Sequence, residues 1–174
     1  MMKKIVLTVC AILGLIDSAY SQSMNLFELG YSKIFYKEND SPTFKPDHIR
    51  ASLRRDRFEG ILSLNVKNNE QTYLGVKESL AVPYVLGFYY RDSILLSDKL
   101  ELYGRGGVAR IKTEVTIPST GAQLSTTGGG VSYGAGMSYL NTPYTKVNFD
   151  LTNYYNRQDI SVRALTIGTS ISFK

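Results

Sequence analysis

The sequence has almost none of the residue types that carry redox, metal or nucleophilic chemistry. Its 174 residues include one cysteine, Cys10, one histidine, His48, and no tryptophan. A single thiol excludes an internal disulfide, and one histidine with one cysteine falls short of the four ligands of a structural zinc site. We therefore expect no cofactor and no metal site, and packing and hydrogen bonds have to hold the chain together.

Long hydrophobic runs are also missing, apart from one near the start. Residues 5–16 are almost entirely apolar, follow two lysines and precede a small-x-small sequence that ends at Ser21. A basic start, a short apolar segment and small residues at its exit form a secretory signal peptide, whereas a membrane-spanning helix needs about 20 apolar residues. The sequence predicts a signal peptide over 1–21 and one exported domain over 22–174.

Charge of either sign is modest and spread along the chain. The 20 lysines and arginines exceed the 15 acidic residues only slightly, which gives a formal net charge of +5. Nucleic-acid binding is a poor explanation of so mild a charge in an exported chain, so no nucleic-acid partner is expected. Anionic lipid or lipopolysaccharide beside a basic rim fits the charge better.

The dominant pattern after residue 24 is an alternation of apolar and polar residues, which marks strands with two different faces. The chain is also rich in tyrosine and glycine, with 13 and 15 residues, as expected for strands and turns. Eight strand segments are predicted, over 25–36, 48–54, 58–66, 72–90, 99–113, 128–140, 145–155 and 160–173. The longest connections, 37–47 and 114–127, are predicted to be loops.

The polar faces of these segments carry small residues and a few charges of both signs. The charges are Glu28, Arg50, Glu59, Glu101, Arg105, Asp150 and Arg163. The interior of an eight-stranded barrel is just wide enough for side chains, and a buried charge needs a partner. We therefore predict that these four acids and three arginines form a nearly neutral network inside a barrel. The apolar faces then point outward to lipid, as in membrane barrels.

The last predicted strand has the most specific pattern. Its apolar residues alternate with polar ones and end on an aromatic; they are Leu165, Ile167, Ile171 and Phe173. Together with the strand-like stretch 100–109, this pattern resembles the small outer-membrane β-barrel proteins, the group that includes the transmembrane domain of OmpA and the OmpX/Ail type. The resemblance covers nearly all of 22–174. The lysine at position 174 departs from the family's pattern, in which the aromatic comes last.

The resemblance implies an all-β fold, an eight-stranded antiparallel up-and-down transmembrane β-barrel in a bacterial outer membrane. It also implies that the barrel-assembly machinery reads the last strand as a signal. Outer-membrane lipid and lipopolysaccharide are the expected surroundings of such a wall.

Three functions stay open on the sequence alone. The first is a non-enzymatic barrel with a filled polar interior and no open pore, which has a structural role or binds a surface ligand through 37–47 and 114–127. The second is a membrane enzyme that modifies lipid A, with His48, Ser52 or an interior acid in its site. Residues four apart on a strand are about 13 Å apart, however, which is beyond hydrogen-bond reach. The third is a soluble periplasmic barrel that binds a lipophilic ligand.

Overall fold

The computed structural model describes residues 25–39, 41–73, 75–157 and 159–173. The predicted signal peptide lies outside them. The strands in this part of the chain are β1 (Asn25–Glu38), β2 (Asp47–Arg55), β3 (Phe58–Lys67), β4 (Asn69–Tyr73), β5 (Val76–Leu95), β6 (Leu100–Ile117), β7 (Ala122–Thr142), β8 (Thr145–Arg157) and β9 (Ile160–Phe173). Across the same residues, no helix has the length and apolar character needed to cross a membrane.

The strands close into a barrel because the first one pairs with the last. β1 and β9 are antiparallel partners along their whole length, from Asn25↔Phe173 to Glu38↔Ile160. β3 and β4 pair one after the other with β5, so the two together occupy one strand position of the barrel, with an interruption between them. We call each such strand position a stave. All other neighbours in the barrel are consecutive strands. The result is the predicted closed antiparallel barrel with eight staves.

The pairing registers fix the tilt of the strands. A line of paired residues that starts at Asn25 and passes once around the barrel returns to β1 at Phe35. The stagger is therefore 35 − 25 = 10 residues, which for eight staves corresponds to a tilt of roughly 41° from the barrel axis. Measured along the barrel axis, each residue of a strand then adds about 2.5 Å of height, and each step to the next stave along this line adds about 3 Å.

Alternate residues form the outer surface of the barrel, and most of them are apolar. Seven examples from seven strands are between 43% and 77% exposed: Leu29, Ile49, Phe88, Val108, Val131, Phe149 and Ile167. Soluble monomers do not carry a continuous apolar belt of this size. The belt therefore needs an apolar environment around the barrel.

The interior has two kinds of filling, of which the sequence predicted only one. The inward residues of β1 change along the strand from Glu28 and Ser32 to Ile34 and Tyr36, and all four are buried. Apolar residues from β5, β8 and β9, among them Val82, Val85, Tyr154 and Val162, form one cluster with the last two and with Phe44 of the loop between β1 and β2. An apolar cluster thus fills the end of the barrel opposite Asn25 and Phe173, the termini of the described barrel, and charged residues fill the middle.

Two predicted segments differ from the structure. The loop predicted over 114–127 is mostly strand, because β6 and β7 continue as a hairpin that turns at 118–121, where Gly121 has a φ of +70°. The strands of a hairpin surrounded by water are polar on both faces, so the polar sequence of 114–127 was wrongly predicted to be a loop. The strand predicted over 72–90 is interrupted by a turn at Gly75, which has a φ of +78°. The loop predicted over 37–47 is present, with ends that differ by one or two residues.

The close contact of β5 and β6 gives a test of this packing. A Cβ added at Gly107 would overlap the carbonyl oxygen of Phe88, whereas one added at Gly106 would meet nothing within 4 Å. We expect Gly107→Ala to lower the free energy of unfolding by about 1–3 kcal/mol, because the two strands must separate. Gly106→Ala, the control, should change it by less than about 0.5 kcal/mol. Urea unfolding in lipid vesicles measures both, and equal effects would contradict the predicted contact.

Candidate functional site

Asp150 on β8 lies at the centre of the charged interior. Arg50 donates hydrogen bonds to its two carboxylate oxygens at 2.9 and 2.6 Å, and Arg105 donates one at 2.5 Å. The Tyr103 hydroxyl donates a further bond at 3.2 Å. Asp150 is 1% exposed, Arg50 is fully buried and Arg105 is 4% exposed. Two guanidinium groups on one carboxylate leave an excess positive charge that other acids have to balance.

Glu28 and Glu59 supply that balance from two other staves. Arg50 also pairs with Glu28, and Arg105 pairs with Glu59 at 3.1 Å. Each of these carboxylates has a neutral partner as well, since Asn148 donates to Glu28 at 2.8 Å and Ser52 donates to Glu59 at 3.2 Å. Five charged side chains from five strands thus form one hydrogen-bonded layer across the barrel.

Arg91 connects this layer to a second one nearer the chain termini. Its guanidinium lies 3.7 Å from Glu59 and 3.6 Å from Glu101. Glu101 also accepts a hydrogen bond from Lys146 at 2.5 Å and lies 3.8 Å from Arg54. The second layer therefore holds one acid among three cations, and it is closer to the turns than the first.

Six of the seven charges predicted for the interior lie in these two layers; they are Glu28, Arg50, Glu59, Glu101, Arg105 and Asp150. The prediction for Arg163 is wrong, because its side chain is exposed on the outer surface. Odd-numbered residues of β9 face outward, and Arg163 follows the same alternation as Leu165 and Ile167.

The sequence prediction missed Arg91, Arg54 and Lys146. Arg91 has the inward parity of Tyr89, but the predicted strand ends one residue before it, at Tyr90. Arg54 and Lys146 lie inside the predicted strands 48–54 and 145–155, with the inward parity of Arg50 and Asp150, but they stand beside turns and were not assigned to the interior. Continuing the alternation of 72–90 by one residue finds Arg91, and the parity within the other two strands finds Arg54 and Lys146.

The apolar residues of the last strand lie on the outer surface, with Ile167 and Ile171 exposed and Leu165 and Phe173 partly exposed. Both edges of β9 are paired, one with β1 and the other with β8. These four residues therefore form an outward row on the strand that closes the barrel.

The structure does not bring the candidate catalytic residues together. His48 is buried, and its Nδ1 atom lies 3.0 Å from the Ser63 hydroxyl rather than from Ser52. Ser52 donates its hydrogen bond to Glu59 instead. Within the described part of the chain, no group of three or more His, Cys, Asp or Glu side chains is placed to hold a metal ion.

A second feature stands at the end of the barrel opposite the termini. The ends of β5 and β6 remain paired there, for example Ser79↔Thr116 and Leu80↔Val115, while β4 and β7 flank them. β7 pairs with β8 only from Tyr133 onward, so β6 is the one strand that pairs with its residues 122–132. We call the four-stranded part formed by 69–73, 76–82, 111–117 and 122–132 the upper sheet.

The charges of the upper sheet are largely paired within it. Lys112 lies 2.6 Å from Glu114 on β6, and Lys77 lies 2.6 Å from Glu70 across the β4–β5 hairpin. The hydrogen bond that Lys112 donates to the carboxylate of Glu114 raises the pKa of Lys112, so this lysine stays charged at neutral pH. Exposed pairs of this kind contribute little to stability. They do neutralise the surface around them.

A family model described as the outer membrane protein beta-barrel domain matches residues 47–173. The chain belongs to this family of outer membrane β-barrels. No curated protein matches the sequence.

Solved outer membrane barrels share the fold at low sequence identity. Ail of Yersinia pestis, solved in complex with the heparin analogue sucrose octasulfate, has a TM-score of 0.62 and 16% identity, covering 88% of this chain and all of Ail. Neisserial surface protein A has a TM-score of 0.62 and 13% identity, covering 86% of this chain and 97% of its own. The N-terminal barrel of Pseudomonas aeruginosa OprF has a TM-score of 0.51 and 19% identity, covering 87% and 100%.

Family membership and the exposed apolar belt together confirm the predicted location in the bacterial outer membrane. A soluble periplasmic carrier is excluded, because the belt would then face water. One end of the barrel has short turns at 56–57, 96–99 and 143–144. Outer membrane barrels direct such turns to the periplasm and their longer hairpins outside the cell, so the upper sheet is extracellular.

Neutralising the central carboxylate tests the interior network. Asp150→Asn leaves Arg50 and Arg105 without their shared partner, and we expect it to lower the free energy of unfolding by about 3–5 kcal/mol. The control is Asp92→Asn, which removes an exposed carboxylate 3.9 Å from Arg57 and should have no measurable effect. Urea titration in lipid vesicles, followed by heat-modifiable migration on a gel, compares the two. Similar stabilities for both variants would contradict the central role of Asp150.

Proposed function

We propose that this barrel is a non-enzymatic surface-interaction protein, whose wall anchors it and whose upper sheet binds a partner outside the cell. The observation that supports this most directly is the unpaired edge of β7 along 122–132. Backbone donors and acceptors within lipid need partners, so an open edge is tolerated only above the membrane. β8 leaves β7 at Tyr133, about 6 Å below the level of Arg163, so the part of the edge from Gly130 to Ala122 is the part that lies above the apolar belt.

The edge of β7 lacks the features that protect natural edges. Strands at sheet edges are commonly blocked by lysine, proline or other charged residues. Residues 122–132 contain no charge and no proline, and three consecutive glycines, 128–130, make the strand adaptable. An unprotected edge accepts an extended peptide as an added strand, with main-chain hydrogen bonds supplying the affinity. The opposite edge, β4, is five residues long and carries Glu70.

An extended polypeptide fits this surface better than a polyanion does. The similar protein Ail was solved with a heparin analogue, which is a sulfated sugar. Here Lys77 and Lys112 are already paired with carboxylates, so these two cations of the upper sheet are not free for sulfate. A polyanion through loop 37–47 stays a second candidate, since Lys37 at its start is exposed.

The proposal also includes an interior that does not conduct. Its support is the charged layer around Asp150 together with the apolar cluster above it, in which Tyr89 and Tyr154 are fully buried. A small space beside Arg54 and Glu59 measures about 10 Å³, around the minimum that a single water needs.

Export and assembly complete the proposal. The predicted signal peptide over 1–21 carries the chain out of the cytoplasm, and the barrel-assembly machinery reads the outward row that ends at Phe173. Lipid A modification has no supporting contact, because His48 hydrogen-bonds to Ser63 and lies away from any paired serine and acid.

Truncating one hairpin at a time tests the binding surface. Lys112 and Thr127 are register partners, so Asn-Gly in place of 113–126 shortens the β6–β7 hairpin and removes the part of its open edge that covers 122–126. We expect binding to a library of immobilised extended peptides to fall by about tenfold or more, because two or three hydrogen bonds of ~1 kcal/mol each are lost.

The matched control shortens the other hairpin at the same end of the barrel. Asn69 and Leu80 are also register partners, and Asn-Gly in place of 70–79 removes the protected edge. Peptide binding should persist in this variant, with both proteins still heat-modifiable on a gel. Equal binding by the two truncated proteins would rule out the β7 edge as the binding surface.

Conductance in planar lipid bilayers tests the filled interior. The unaltered protein should show no large, stable channel steps, because the charged layer around Asp150 and the apolar cluster each obstruct the interior in the proposed arrangement. Large, stable channels in the unaltered protein would end the proposal of a closed interior.

A further inference from the structure

A groove crosses the lipid-facing wall on one side of the barrel, with a volume of about 510 Å³. It follows one line of register partners across five neighbouring staves, namely Phe27, Leu53, Gly60, Phe88 and Val108. Two small outward residues, Gly60 and Ala51, deepen it where the wall would otherwise be filled. A Cβ added at Gly60 would meet nothing within 4 Å.

Arg110 forms the upper end of this groove. It is the next outward residue above Val108 on β6, and its side chain is exposed. No hydrogen bond or ion pair joins it to another residue in the described part of the chain. Arg110 lies at roughly the same height along the barrel axis as Arg163 and the Lys33–Asp47 pair. These charged residues mark the upper border of the apolar belt.

The length of the groove matches one leaflet of a bilayer. The line from Phe27 to Val108 climbs four staves, about 12 Å, and Arg110 lies two residues or about 5 Å higher. The total of roughly 17 Å is close to the ~15 Å that one leaflet contributes to the hydrocarbon core. The groove therefore begins at the headgroup level of the outer leaflet and is long enough for one acyl chain. Its lower end is near the turn at 56–57, because Leu53 lies two residues from Arg55.

We propose that this groove holds one acyl chain of a phosphate-bearing lipid of the outer leaflet, whose phosphate binds Arg110. The lining below Arg110 is apolar and offers an acyl chain more contacts than the rest of the wall. An unpaired cation beside hydrocarbon requires an anion, and a guanidinium matches phosphate with two hydrogen bonds. A second copy of this barrel fits less well, because the residues that line the groove include no carboxylate.

Native mass spectrometry of the full protein in mild detergent tests the site. Phosphatidylglycerol and diacylglycerol with identical chains are the two probes, since they differ in the phosphate headgroup. The unaltered protein should bind phosphatidylglycerol about tenfold more tightly than diacylglycerol, the effect of one charge-assisted contact. Arg110→Gln should remove this difference and leave diacylglycerol binding unchanged.

Filling the groove is the second arm of the test. Gly60→Leu should abolish binding of both lipids, whereas Gly104→Leu should keep both, because Gly104 also faces outward into open space but lies outside the groove. Heat-modifiable migration shows whether each variant is folded, and Ala51→Leu replaces Gly60→Leu if that one is not.

Three results would overturn the proposal. The first is equal binding by the Gly60→Leu and Gly104→Leu proteins, and the second is diacylglycerol binding as tight as that of phosphatidylglycerol. The third is a dimer of the unaltered protein that Gly60→Leu dissociates, which would assign the groove to a second copy.

Discussion

The pairing of the first strand with the last is the constraint from which the other features follow. Without it, β1 and β9 would each leave an open edge in lipid, where every unpaired backbone group costs several kcal/mol. Closure with eight staves gives an interior that has room for side chains and little else. Any charge that faces inward must therefore find its partner there, and Asp150 with Arg50 and Arg105 is the result.

The same constraint explains where the wall is free to vary. Inside the membrane the inward side is occupied and the backbone is paired, so the choice of side chain is free only at outward positions. The groove below Arg110 results from small side chains at such positions. Above the membrane the backbone no longer has to close on itself, and β7 parts from β8 beyond Tyr133. The apolar cluster around Tyr154 and Val162 holds the barrel together at this level.

Alternation in the sequence was enough to predict the staves and most of the charged interior. It was reliable in the middle of strands, where Glu28, Arg105 and Asp150 face inward as expected. Two charges were nevertheless misplaced, for different reasons. Arg91 was left out because the predicted strand stops one residue before it, at Tyr90. Arg163 was assigned to the interior although it shares the outward alternation of Leu165 and Ile167, so strict alternation places it outside.

Two features could not have been predicted from alternation. The open edge of β7 depends on where β8 ends relative to it, and the groove depends on the register of five staves. Both are relations between strands that are far apart in sequence, and one chain without its structure gives no measure of them. The polar sequence of the upper sheet was a further obstacle, because hairpin strands surrounded by water have no apolar face.

The environment of the two faces of β8 is the most direct test of the whole structure. Cys10, in the predicted signal peptide, is the one cysteine of the chain, so single cysteines placed in the barrel can carry unique spin labels. Labels at Val147, Phe149 and Leu151 should be accessible to oxygen dissolved in lipid and shielded from a water-soluble nickel complex. Labels at Asn148 and Thr152 should be shielded from both. Nickel access to the first three positions, or oxygen access to the other two, would contradict the proposed inside and outside of the barrel.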